Sequence, residues 1–96
     1  MTDKELLELA AKAAGIDMEW SGPHTPRDWN PLTDDGDALR LAVKLGLEVD
    51  PWLGRKITIV DHGEIDCAIN ENHGDDPYAA TRRAIVRAAA EIGKTL

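Results

Sequence analysis

The segment "DALRLAVKL", residues 37–45, constrains the fold most because it is apolar on nearly every side of a helix. Only Arg40 and Lys44 form a narrow polar stripe, so we expect this helix to be largely buried. Asp34 is predicted as its N-cap and Asp37 as its third residue, since carboxylates at a helix start accept hydrogen bonds from unpaired backbone N–H groups. The following glycine closes the helix. The acidic run "TDDGD" is therefore interpreted as a helix start rather than a ligand site.

Two further helices are predicted near the ends of the chain. In "DKELLELAAKAAG", Thr2 and Glu5 have the spacing of a capping box, and Gly15 is a natural stop. In "YAATRRAIVRAAAEIG", Asp76 is a plausible N-cap and Pro77 takes the favoured first helical position. The inward stripe of this last helix is predicted to be Tyr78, Thr81, Ile85, Ala88 and Ile92.

Four short strands are predicted between the helices. "IDMEW" (16–20) alternates apolar and acidic residues, and a loop follows it; "LEVD" (47–50) ends at Pro51. "KITIV" and "EIDCAIN" flank "DHG", and a three-residue loop at "DHG" sets the register of this hairpin. It pairs Ile59 with Ile65 and Ile57 with Cys67, which places Cys67 on the inward face.

The predicted order α-β-α-β-β-β-α indicates an α+β fold. We expect one domain over residues 1–96, in which a small antiparallel sheet of about four strands packs with three helices. The last five elements, α-β-β-β-α, also match the element order of double-stranded-RNA-binding domains. A nucleic-acid-binding module therefore remains an alternative, with phosphate contacts from Arg82, Arg83 and Arg87 on the last helix.

The charge balance opposes that alternative. A formal net charge of −7 repels both nucleic-acid backbones and anionic membranes. No apolar run approaches membrane-spanning length, and "MTDKELLELA" carries acids where a signal peptide needs bases. A cytosolic protein without a membrane partner is therefore predicted.

No set of residues in the sequence assembles the roles of a catalytic site. Ser21 is the only serine and lies in no Gly-x-Ser-x-Gly motif, and no carboxylate is placed to orient His24. Cys67 is the only cysteine, which leaves no disulfide within the chain. A small metal-dependent enzyme stays open as a second alternative, because "ENHGDD" contains the ligand types Glu71, His73, Asp75 and Asp76. A turn followed by a helix cap is the preferred interpretation, so we predict a protein that is not an enzyme, with no catalytic, cofactor-binding or metal-binding residue.

Tryptophans in loops and at strand ends suggest a protein-contact surface, since exposed Trp is enriched at binding hot spots. Trp52, His62 at the predicted hairpin tip, and Trp29 are the candidate contact residues. For Trp29 the preferred interpretation is structural, with the indole closing the edge of the core.

Three blocks carry a family resemblance: "WNPLTDDGDALRLAVKL", "ATRRAIVRAAAEIG" and the opening "LLELAAKAAGI". Together they cover nearly half the chain, and they resemble a family of short hypothetical proteins encoded in tailed bacteriophages and prophages, the phage αβα-sandwich domain. The resemblance implies a phage genome, expression in the host bacterial cytoplasm and a compact α/β domain. It carries over no catalytic or binding residue.

The function expected from these observations is binding to another protein. A small acidic phage or prophage product of this kind fits an accessory or inhibitor module that acts on a host or defence component. The expected partner is a host or phage protein, and the expected state is a monomer or a weak homodimer, without a cofactor.

Overall fold

The computed structural model describes residues 1–16 and 29–96, which form three helices and three strands. The predicted α+β class is confirmed. The strand predicted at residues 16–20 lies, apart from Ile16, outside the described residues, as does most of the loop that follows it. The helices are α1 (Asp3–Ala14), α2 (Asp35–Leu45) and α3 (Pro77–Gly93), and the strands are β1 (Glu48–Trp52), β2 (Ile57–Asp61) and β3 (Ile69–Asn72).

The helix ends follow local sequence signals. The Thr2 side chain accepts a hydrogen bond from the Glu5 N–H at 3.1 Å, as a capping box requires. Asp76 accepts from the first backbone N–H groups of α3. Gly15 and Gly46 end α1 and α2 in the left-handed conformation, with φ of 72° and 68°. These boundaries agree with the prediction because they depend only on neighbouring residues.

The sheet has the order β1-β2-β3 with antiparallel pairing throughout, but the predicted hairpin register is wrong. β2 pairs Ile57 with Asn72 and Val60 with Ile69, so residues 62–68 connect the strands instead of a three-residue loop. β3 therefore includes Glu71 and Asn72, which belong to the segment predicted as a turn before the last helix. Cys67 lies in that connection and is exposed rather than inward-facing.

A buried polar cluster explains which face of β2 points inward. Thr58 and Val60 are fully buried, whereas Ile57 and Ile59 are only half-buried on the opposite face. The Thr58 hydroxyl shares hydrogen bonds with His73 Nε2 at 2.8 Å and with the Thr81 hydroxyl at 2.7 Å. These partners satisfy a hydroxyl that would otherwise be costly to bury, and the threonine can therefore replace an isoleucine in the core.

β1 also departs from the prediction, because it continues through Pro51 to Trp52. Proline is tolerated there because β1 lies at the edge of the sheet that the described strands form, where an N–H that faces away from β2 is not needed. A short 3-10 turn, Leu53–Arg55, then leads to Lys56 in the left-handed conformation and into β2.

The most extensively packed helix is α3, whereas the apolar pattern predicted that α2 is largely buried. α3 contacts α1, α2 and all three strands, and Ala84, Val86 and Ala89 are fully buried. The predicted burial of α2 is only half correct. Its Ala38 and Leu41 are buried, but Leu39 and Val43 are 64% and 72% exposed. α2 covers one flank of the core and leaves an apolar face outside.

The predicted inward stripe of α3 needs one correction. Ile85, Ala88 and Ile92 are buried, but Tyr78 is 70% exposed. Tyr78 lies in the first turn of α3. No helix in residues 1–16 or 29–96 is long and apolar enough to cross a membrane.

Candidate protein-binding groove

The acidic run before α2 is used by the backbone. Asp34 is the N-cap and accepts the Asp37 N–H at 2.8 Å. Asp37 accepts the Asn30 N–H at 2.9 Å and pairs with Arg40 at 2.7 Å. These carboxylates hold the helix start and the turn before it, which is the structural role predicted for Asp34 and Asp37.

Three of the four residues that could bind metal are engaged in structural contacts. Glu71 pairs with Arg87, His73 is buried against Thr58, and Asp76 caps α3. Among the residues that the structure describes, no three His, Cys, Asp or Glu side chains are arranged to hold a metal ion. Ser21 and His24 lie outside those residues.

The three arginines proposed for nucleic-acid contact each make an ion pair with an acidic side chain. Arg82 pairs with Asp35 at 2.6 Å, Arg83 with Asp3 at 3.1 Å, and Arg87 with Glu71 at 2.6 Å. The element order α2-β1-β2-β3-α3 matches the order noted for double-stranded-RNA-binding domains. The arginines nevertheless connect α3 to its neighbours, and a phosphate would have to compete with these carboxylates.

The three predicted contact residues do not form one surface. Trp52 is 39% exposed at the end of β1, opposite the first residue of β2, and the Arg55 guanidinium lies 4.8 Å from the centroid of its ring. His62 follows the opposite end of β2, where its Nδ1 accepts the Glu64 N–H at 2.9 Å within a turn. Trp29 is partly buried and packs against the core.

A groove between α2, β1 and α3 is an apolar feature of the described surface. It has a volume of about 670 Å³, within the range of ~300–1,000 Å³ typical of binding pockets. Leu39, Leu53 and Tyr78 are 64%, 70% and 70% exposed around it. This feature, the apolar groove, is lined chiefly by Leu39, Ala42, Val49, Leu53, Tyr78 and Ile85.

The local folding of each wall explains why the apolar groove is open. α2 packs through Ala38 and Leu41, which leaves Leu39 on the side that faces β1 and the start of α3. On β1, Val49 pairs with Val60, whose side chain points to the helical face of the sheet. In the described part of the chain, no side chain fills the space between these walls.

Charge within the lining is almost cancelled. Asp35 and Arg82 line the apolar groove, and they pair with each other while Arg82 Nε also donates to the Leu32 carbonyl at 2.9 Å. The Arg82 side chain is only 17% exposed. A partner that enters the apolar groove therefore meets apolar walls and one ion pair that is already formed.

The sequence of α2 carries a signal for this site. An all-round apolar α2 predicts burial, but the same pattern also arises when one apolar face is reserved for a partner. Helical spacing places Tyr78 on the inward stripe of α3, and no local pattern brings it together with Leu53. Their proximity follows from how α3 packs beside β1.

Compared with known proteins, the chain has no significant match among protein-family models, curated proteins or solved structures. The site is therefore interpreted from its own geometry.

Proposed function

We propose that this chain is a protein-binding module and that the apolar groove is its contact surface. The observation that carries the proposal is the exposure of Leu39, Leu53 and Tyr78 around one cavity. Exposed apolar side chains that are grouped around a concavity are typical of sites where another protein binds. Tyr78 adds a residue type that is enriched among binding hot spots.

The biological setting is a second part of the proposal. The resemblance of residues 29–45 and 80–93 to phage and prophage proteins supports an accessory or inhibitor role, directed at a host or defence component in the bacterial cytoplasm. The proposal assigns no reaction to the chain. Its action would be to occupy a surface of the partner.

Two substitutions on one face of α2 test the contact surface. Leu39 lines the apolar groove, whereas Val43 lies one turn further along α2 and outside the lining. Both side chains are mostly exposed, so Leu39→Lys and Val43→Lys add the same charge to one helix with little effect on folding. Circular dichroism checks that both variants are folded.

Selection from a displayed random-peptide library on the wild-type protein is the corresponding assay. We expect ligands whose binding is weakened about tenfold or more by Leu39→Lys and by less than about twofold by Val43→Lys. Ligands that respond equally to the two variants, or a selection that yields none dependent on Leu39, would refute the apolar groove as the contact surface.

The biological part is tested separately by affinity capture from a phage-infected bacterial lysate. A specific partner should be retained by Val43→Lys and lost with Leu39→Lys. If phage infection yields no protein with that pattern, while peptides still bind the apolar groove, the inhibitor role is wrong and the binding site stands.

A further inference from the structure

We propose that the face of the sheet opposite the helices is a second protein-binding surface and that it takes the basic face of a folded partner. This surface, the outer sheet face, is separate from the apolar groove. It joins an apolar centre that includes Trp52 to a group of carboxylates that form no ion pair with a described residue.

The strand register shows which side chains share the outer sheet face. Side chains alternate between the two faces of a strand, and residues directly opposite one another in neighbouring strands point to the same side. Thr58 bonds to Thr81 of α3, so buried Thr58 and Val60 mark the helical side. The outer sheet face therefore consists of Glu48, Asp50 and Trp52 from β1, Ile57, Ile59 and Asp61 from β2, and Asn70 and Asn72 from β3.

The outer sheet face is open and has an apolar centre. Ile57 and Ile59 are only half-buried, and Trp52, directly opposite Ile57, is 39% exposed. The polar residues around these three are exposed. None of the residues of the outer sheet face lines the apolar groove. An exposed tryptophan beside branched apolar side chains is typical of a protein contact, because tryptophan is enriched among binding hot spots.

The carboxylates lie together at the other end of the outer sheet face. Glu48 is directly opposite Asp61, with a Cβ separation of about 4.5–5.5 Å expected for such pairs, and Asp50 is the diagonal neighbour of Asp61. Like charges directly opposite one another destabilise a sheet. Asp61 accepts the His62 N–H at 2.8 Å, but none of the three carboxylates forms an ion pair with a described residue.

The strands themselves offer no base to neutralise these carboxylates. β1, β2 and β3 contain no lysine, arginine or histidine. Arg55 lies over Trp52, which is four residues along β1 from Glu48, or roughly 13 Å. In the described part of the chain, no three acidic, histidine or cysteine side chains are arranged to hold a metal ion. Lysine and arginine side chains are long enough to reach carboxylates that are spread over two strands, and arginine can bond two oxygens at once.

Charge and shape together select the occupant. A nucleic acid would be repelled by the carboxylates, and a second copy of this chain would place carboxylates against carboxylates. A short peptide binds best in a groove or along a strand edge, whereas an open sheet face is covered by a surface that is already folded. The outer sheet face therefore fits a folded protein that presents an apolar residue next to lysine or arginine.

Selection from a displayed library of a small three-helix scaffold, randomised on one helical face, tests this proposal. The selection is made on the Leu39→Lys variant of the full chain, so that ligands of the apolar groove are not recovered. Affinities of the recovered scaffolds are then measured at about 0.15 M salt, which limits long-range attraction.

We expect the recovered scaffolds to be richer in lysine and arginine than the unselected library. Their binding should weaken about tenfold or more when Glu48→Gln is combined with Asp61→Asn, and about tenfold with Trp52→Ala. The matched control combines Glu8→Gln in α1 with Asp75→Asn before α3, which gives the same net charge and should weaken binding less than about twofold.

The results that would overturn the proposal are distinct. Scaffolds that respond equally to the two double variants, that carry no excess of basic residues, or that never depend on Glu48 and Asp61 would exclude the basic partner. Self-association of the wild-type chain in sedimentation, prevented by Trp52→Ala, would make the outer sheet face an interface between copies instead. Because the selection uses Leu39→Lys, its failure does not affect the proposed role of the apolar groove.

Thermal unfolding gives a second readout that a structural role of these carboxylates would not produce. Replacing Glu48 and Asp61 with their amides removes the repulsion, and the asparagine oxygen can still accept the His62 N–H. We therefore expect the Tm of this double variant to rise by about 1–8 °C while binding is lost. A lower Tm would show that the two carboxylates stabilise the fold and would overturn their assignment to a partner.

Discussion

Replacing Gly93 with alanine should separate α1 from α3, although alanine is normally the better helix former. Gly93 is buried in the last turn of α3, against the backbone of Leu9 in α1. A Cβ atom built on Gly93 would fall onto the Leu9 carbonyl oxygen and lie 2.8 Å from its carbonyl carbon. The obstacle is main chain, so no side-chain rotation can relieve it.

The cost can be estimated from the overlap. Non-bonded carbon atoms pack at about 3.5–4.0 Å, so the helices must move apart by roughly 1 Å. Overpacking of a core costs about 1–3 kcal/mol, and a backbone obstacle places Gly93→Ala near the upper value. The higher helix propensity of alanine offsets up to about 1 kcal/mol of this cost. We therefore expect a net loss of about 2 kcal/mol in the free energy of unfolding.

Urea denaturation followed by circular dichroism measures this loss, and thermal unfolding should show a Tm lower by about 8–16 °C. Gly54→Ala is the matched control, because a Cβ there meets no atom within 4 Å and the glycine does not have a positive φ. Its free energy of unfolding should change by less than about 0.5 kcal/mol. A Gly93→Ala variant as stable as the wild type would refute the close approach of α1 and α3.

Two substitutions and one reactivity measurement test individual features of the fold. Asp34→Ala removes the hydrogen bond to the Asp37 N–H and should lower the free energy of unfolding by about 1 kcal/mol in urea titrations; an unchanged value would mean that the cap is dispensable. Thr58→Val leaves the buried His73 without its hydroxyl partner and should cost about 1–3 kcal/mol by the same measurement, whereas a stabilised variant would show that this hydrogen bond contributes nothing. Cys67 should react with a thiol reagent in the native protein as fast as in urea. Much slower reaction in the native protein would instead support the inward orientation that the strand pattern predicted.

The parts of the fold that could be predicted from the sequence depend on near neighbours. Thr2, Asp34 and Asp76 precede their helices in patterns that specify a cap, and each does cap a helix. The α+β class follows from three amphipathic or apolar helices separated by short β-prone segments. These signals require no knowledge of what packs against them.

The sheet register could not be predicted in this way. The alternation of Ile57 and Ile59 indicated the core face, and "DHG" suggested the loop between β2 and β3. The opposite face turns inward because His73 and Thr81 supply hydrogen bonds to Thr58 from distant parts of the chain. Hydrophobic patterning counts a threonine as polar and cannot detect a partner that only the tertiary fold provides.

The candidate site could not be predicted from the sequence for a related reason. The apolar pattern of α2 predicts that the helix is largely buried, and helical spacing places Tyr78 on the inward stripe of α3, but Leu39 and Tyr78 are both mostly exposed. Periodicity identifies an apolar face but not whether that face meets this chain or another one. Trp52 is next to Leu53 in the chain but does not line the apolar groove.

The central claim is that the apolar groove binds a segment of another protein. Chemical-shift mapping of the isotope-labelled chain, titrated with a peptide recovered from the library, tests it most directly. We expect the perturbed signals to cluster at Leu39, Leu53 and Tyr78. Perturbations confined to the other face of the sheet and to His62, with the signals of Leu39 and Tyr78 unchanged, would contradict it.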